Sequence, residues 1–255
     1  MEAFVMRSLK DWGGNIAAFV GVIIVNGMAN GIPLNGQNTG EVSAKYPSLF
    51  TPAGFTFSIW GLIYLSLTAF VIYQALPAQR NNALIAKVSP LFVANCAANA
   101  AWIFVWHYDL LWLSLLLMVA ILITLVQIYR MLRAAGPASS KGEWLFMRFP
   151  FSLYTGWITV ATIANISCVQ FAKGWDDLGL SALDWTLFKL AIAGAIGAAV
   201  ILRLRDIPYV LVIAWAAYGI ASKQVGSPEI VGAATTLSVL AVLLAVAEVI
   251  RTPRA

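Results

Sequence analysis

Long apolar runs alternate with short polar breaks along the whole chain, and most runs are the length of a bilayer crossing. A hydrocarbon core of about 30 Å needs roughly 20 residues at about 1.5 Å each. Lipid offers the backbone no water, so each run must close its own hydrogen bonds, which predicts helices. Eight segments are predicted, at residues 15–34, 55–76, 88–106, 110–129, 149–171, 186–202, 207–222 and 230–247. The expected fold is all-α: a polytopic integral membrane helical bundle of about eight transmembrane helices. Arg7 and Lys10 ahead of an apolar stretch resemble a signal peptide, but Asn26 and Asn30 interrupt it, so a retained first helix is expected. Residues 1–14 are read as an interfacial segment, with Phe4, Val5, Leu9 and Trp12 set against Glu2, Arg7 and Lys10.

Polar residues inside the runs recur at helical spacing. Asn95, Asn99, Trp102 and Trp106 share one face of the third segment. Tyr154, Trp157, Ala161 and Asn165 share one face of the fifth, Phe57, Trp60 and Tyr64 one face of the second, and Asn26 and Asn30 mark the first. Counted from the segment ends, Asn30, Trp60, Asn99 and Asn165 are expected at one depth. Such stripes also serve as helix-packing contacts, because interhelical amide hydrogen bonds contribute about 0.6–2 kcal/mol by themselves. Gly27 with Gly31, and the small residues 191–199, are read as close helix contacts. Residues 35–54 form a long connection and residues 133–144 a hinge.

Composition agrees with a membrane chain: 255 residues, 61% hydrophobic and only 11% charged, with mean hydropathy +0.83. The net charge of +5 is spread over connections and gives no nucleic-acid patch. Eight crossings put Arg7, Lys10, Arg80, Lys87, Arg130, Arg133, Lys141, Arg148, Arg203, Arg205, Arg251 and Arg254 on one side. Lys45, Lys173, Lys189 and Lys223 fall on the other. Positive residues collect on the cytoplasmic side, so both termini are expected there, in an inner or cytoplasmic membrane. With Lys189 counted as outer, the crossings are read as free of ionisable groups, which argues against ion coupling.

Little else suggests chemistry. Cys96 and Cys168 are expected as buried thiols rather than a disulfide or metal pair. His107, the single histidine, is expected to be solvated rather than an axial ligand to a metal. Asp176, Asp177 and Asp184 read as a solvated acidic loop. General acid–base catalysis needs titratable groups within the site, so no catalytic residues, no metal and no enzymatic activity are expected.

The run Phe50-Thr51-Pro52-Ala53-Gly54-Phe55 through Trp60-Gly61-Leu62-Ile63-Tyr64 resembles the second-helix motif of the TspO/MBR family, the tryptophan-rich sensory proteins. Asn99-Ala100-Ala101-Trp102 is similar to its third-helix Asn-x-x-Trp, and Tyr154-Thr155-Gly156-Trp157 through Ala161-Thr162 to Asn165 to its fifth-helix pattern. The resemblance implies a five-helix TspO-like bundle over residues 15–171, with residues 186–250 forming three additional helices as in a larger subgroup. It implies a pocket under the first loop for porphyrin, haem or another lipophilic ligand, lined here by Trp60, Tyr64, Asn99, Trp102, Tyr154, Trp157, Ala161 and Asn165. Some relatives degrade porphyrin in light, so weak photochemical turnover stays open.

The function expected is binding of a tetrapyrrole-like small molecule, with a sensory, regulatory or transport role. Partners are the lipid bilayer and that ligand, with a homodimer or a larger membrane complex also compatible. A transporter of lipophilic substrates and a structural or assembly subunit are the two alternatives.

Overall fold

A computed structural model describes residues 7–174 and 179–251. Glu2, Phe4, Val5, Asp176, Asp177 and Arg254, which figured in the interfacial, acidic-loop and charge-side readings, lie outside the described residues. The main helices are α1 (Leu9–Gly31), α2 (Ile59–Ala75), α3 (Ala83–His107), α4 (Leu111–Ala134), α5 (Phe149–Ala172), α6 (Ala182–Leu204), α7 (Ile207–Lys223) and α8 (Pro228–Arg251). No strand occurs among the described residues. Seven of these segments are long and apolar enough to cross a membrane, and α7, at 17 residues, is a shorter apolar helix. At about 1.5 Å per residue α7 reaches roughly 26 Å, a little under the hydrocarbon thickness.

Side-chain caps place the helix starts. The Asn82 side chain accepts from the Leu84 and Ile85 amides, both at 3.1 Å, so α3 begins five residues before Val88. Ser181 and Asp184 form a reciprocal capping box that starts α6 at Ala182, four residues before Thr186. Asp206 accepts from the Tyr209 amide at 3.1 Å and starts α7.

The chain forms two compact units, one made of the segment up to Thr39 with Trp60–Thr155, the other of Gly40–Ile59 with the chain from Gly156 onward. In the first, α3 packs against both α1 and α4. Lipid removes the usual hydrophobic drive between helices, so close packing must hold them. Phe92 supplies much of it, meeting Phe19 at 6.3 Å, Phe70 at 5.2 Å and Phe151 at 6.0 Å between ring centres. Arg7 does not lie on a solvated headgroup face. It is buried, ion-paired to Asp11 at 2.7 Å, and donates to the Gln74 carbonyl at 2.6 Å. Gln74 in turn donates to the Trp12 carbonyl at 3.0 Å.

The expected hinge after α4 is pinned instead. Residues Lys141–Glu143 and a π turn, Trp144–Arg148, lead directly into α5. Glu143 accepts from Arg148 Nη2 at 2.6 Å and from the Ser139 amide at 2.9 Å, while Arg148 also donates to the Gly136 carbonyl at 2.5 Å. A bidentate, charge-assisted clamp of this kind fixes geometry more firmly than the Gly-Pro and Ser-Ser dipeptides loosen it.

In the second unit α7 packs against α6 and α8. The small strip of α6 makes close contacts as expected: a Cβ on Gly194 would lie 3.0 Å from Leu237, and one on Gly197 would lie 3.4 Å from Ile213. Gly27 and Gly31 do not, since a Cβ on either would meet nothing within 4 Å. The long connection is also more ordered than expected. It holds a helix at Thr39–Ala44 and a 3₁₀ turn at Gly54–Ser58. That turn docks on α7, where Ala53 donates to the Gly219 carbonyl at 2.9 Å and Trp215 Nε1 donates to the Thr56 carbonyl at 2.9 Å.

Gly219 permits this docking, because its Cβ would sit 2.0 Å from Thr56 Oγ1. Gly219→Ala is expected to lower stability by about 1–3 kcal/mol through overpacking, read as a reduced melting temperature of the detergent-solubilised protein. Adding Thr56→Gly, which removes the clashing side chain, should recover most of the loss; an undiminished Gly219→Ala melting temperature would refute the contact.

Candidate ligand-binding site

Four of the eight expected site residues converge in the first unit. Asn99, on α3, accepts from Asn26 Nδ2 at 3.0 Å and donates from Nδ2 to the Tyr154 hydroxyl at 2.8 Å. The Trp60 ring stacks on Tyr64 at 5.2 Å and 23°, and meets Tyr154 edge-on at 5.7 Å. Asn99 and Tyr154 are each only 2% exposed, whereas Trp60 and Tyr64 are half-buried. Helical spacing explains why these residues share a patch: Trp60 and Tyr64 are four apart on α2, and Asn99 lies beside the inward face of α1.

Trp102, one turn beyond Asn99, stacks on Trp106 at 5.3 Å and 17°. Its own buried indole N–H has no hydrogen-bond partner, while Trp106 donates to the Thr39 carbonyl at 3.2 Å. The remaining three residues belong to the second unit. Trp157 is buried and packs edge-on against Phe57 at 6.0 Å; Asn165 is buried and Ala161 half-buried. They follow Tyr154 along α5 at three, seven and eleven residues, hence on one helical face.

Several expectations are corrected. The α1 partner of Asn99 is Asn26, one turn deeper than Asn30. Asn30 sits next to the last residue of α1, so its side chain serves the helix end and the loop: it donates to the Asn26 carbonyl at 2.9 Å and accepts from the Thr39 amide at 3.4 Å. Asn95 bonds Thr124 and the Ile121 carbonyl of α4, so it holds two helices together. His107 is not solvated. It is fully buried, with Nδ1 bonded to the Ile103 carbonyl at 2.7 Å, and its backbone carbonyl accepts from Asn35 at 2.9 Å. No group of three His, Cys, Asp or Glu side chains gathers around it or elsewhere among the described residues. Cys96 and Cys168 are buried free thiols, as expected.

Lys189 overturns the reading of charge-free crossings. The early cap at Ser181 places it seven residues into α6, where it is 8% exposed and donates to Gln170 at 2.5 Å. The argument against ion coupling loses its premise at that residue.

The Asn26–Asn99–Tyr154 chain and the Trp60–Tyr64 stack together form a polar thread against an aromatic wall. In comparison with known sequences, the TSPO-like protein family matches residues 12–249. The chain belongs to that family. The match extends through α6, α7 and most of α8, so these helices lie within the family's span. No curated protein and no solved structure gives a match. With its apolar helices, family membership makes the chain an integral membrane protein.

Asn99 is the shared partner, so its removal takes a donor from the buried Tyr154 hydroxyl and an acceptor from Asn26, which keeps its bond to the Val22 carbonyl. Asn99→Ala is expected to cost about 1–3 kcal/mol, and Asn26→Ala less, since Asn99 keeps its bond to the Tyr154 hydroxyl. A double-mutant cycle in reversible detergent unfolding checks this; strictly additive losses would show that the pair does not interact.

Proposed function

We propose that this TSPO-like membrane protein binds a flat lipophilic ligand of the tetrapyrrole class, porphyrin or haem, and couples that binding to a sensory, regulatory or transport role. One observation carries the reading: a half-buried aromatic wall, Trp60 and Tyr64, stands beside a fully buried amide–phenol pair, Asn99 and Tyr154. Ligand pockets are typically apolar and aromatic with a few fixed polar groups that set orientation. A macrocycle would stack on the Trp60 indole, whose π face is large and rigid. Asn99 and Tyr154 would direct hydrogen bonds to its polar edge. The family resemblance adds Trp102 on α3 and Trp157, Ala161 and Asn165 on the face of α5 that Tyr154 begins. The excess of basic residues on one set of connections supports cytoplasmic termini in a cytoplasmic membrane.

Titration of the purified protein with protoporphyrin IX, followed by Soret absorbance, tests the site. Wild type should bind saturably. Trp60→Ala should weaken binding about tenfold, or about 1.4 kcal/mol, while Trp60→Phe keeps most affinity because a ring remains. Trp112→Phe, at an exposed position on α4 outside the cluster, should have no effect. Equal affinity in wild type and Trp60→Ala would defeat the assignment.

A further inference from the structure

A cavity lies wholly within the unit that holds α6 to α8. It has a volume of about 620 Å³ and is lined by Pro47 and Leu49 of the long connection, Phe171 of α5, Leu180, and Trp185 and Lys189 of α6. Its size is in the range of about 300–1,000 Å³ usual for small-molecule sites. Most of this lining is apolar, but its polar groups are unusual. Lys189 is 8% exposed, and among the described residues its ammonium donates to a neutral amide oxygen, that of Gln170, at 2.5 Å.

An ammonium carries three donors, so one amide leaves it under-satisfied among the described residues. No carboxylate pairs with it among the described residues. The nearest acid on its own helix, Asp184, is engaged in the Ser181 cap. Trp185 adds a buried indole N–H without a hydrogen-bond partner. Burying a charge without a partner is costly, and in membranes such residues normally mark a pathway or a ligand.

We propose that this cavity binds a single-chain amphiphile with a carboxylate head, a long-chain fatty acid. The carboxylate pairs with the Lys189 ammonium and accepts from the Trp185 N–H, and the aliphatic chain lies along Leu49, Phe171 and Leu180. The carboxylate supplies a counter-charge that no described residue gives Lys189 and an acceptor for the indole, while the apolar lining takes the chain. The volume favours one acyl chain over the two of a phospholipid. This site is separate from the aromatic cluster of Trp60 and Asn99 and does not rest on the tetrapyrrole reading.

The test is calorimetric titration of the full-length protein in maltoside micelles with laurate, against a protein-free micelle blank. Laurate should bind saturably, and methyl laurate, with the same tail and no charge, should bind at least tenfold more weakly. Lys189→Met should lower laurate affinity at least tenfold, Lys189→Arg should retain it within about threefold, and Trp185→Phe should reduce it a few-fold. Protoporphyrin binding by Lys189→Met should be unchanged, which separates this site from the other. Absence of saturable binding, equal affinity for laurate and its methyl ester, or tighter binding of dodecyl phosphate than of laurate would each overturn the proposal. The ester comparison needs no variant, so it decides even if Lys189→Met fails to fold.

Discussion

Hydrocarbon solvates no polar group, and that constraint organises the interior of this chain. Every amide, hydroxyl or charge placed within the helices must find a partner on protein or be left at a cost of several kcal/mol. Asn15 finds Ser89, Asn95 finds Thr124, Asn26 finds Asn99, and Asn99 finds Tyr154. Each pair joins residues distant in sequence, so each also fixes which helices are neighbours and at what level. Apolar packing alone would leave them free to slide, since lipid tails are as apolar as leucine.

One such pair meets aromatic rings. Tyr154 is at once the acceptor for Asn99 and the edge-on neighbour of Trp60. The amide bond therefore sets the attitude of the phenol, and the phenol supports the indole. A ligand stacking on Trp60 would meet a surface held in place from behind, which lowers the ordering cost of binding. Lys189 is the opposite case: among the described residues its ammonium donates to one neutral amide, beside a cavity of about 620 Å³.

The helices themselves were legible in the sequence because the hydrophobic pattern answers to the solvent directly. Asn82, Ser181 and Asp206 mark helix starts where the apolar runs alone do not; the predicted run 186–202 already held Lys189, and reading Ser181 with Asp184 as a capping box would have set it about two turns inside the helix rather than at its outer edge. The Asn99 and Tyr154 stripes were visible as periodicity. Their pairing with Asn26 rather than Asn30 was not, because both asparagines share a face and only helix tilt and ends decide which is level. Gly27 and Gly31 show the same limit: small residues at the right spacing permit close approach but do not compel a neighbour to be there. The burial of His107 depends on Asn35 and Thr39 folding back over the end of α3, a long-range arrangement that no local pattern encodes.

The π turn at Trp144–Arg148 sets the phase of everything after it. An α-helix advances about 100° per residue, and a π turn accommodates one residue more than the regular spiral would. Were that turn regularised by dropping one residue, α5 would enter rotated by about that angle. Tyr154 would turn from Asn99 and Gly156 from its close contact with Tyr209 together, although neither had been altered. The clamp of Glu143 and Arg148 thus acts as an index mark: a few polar contacts near one end of a rod determine which way its far side looks.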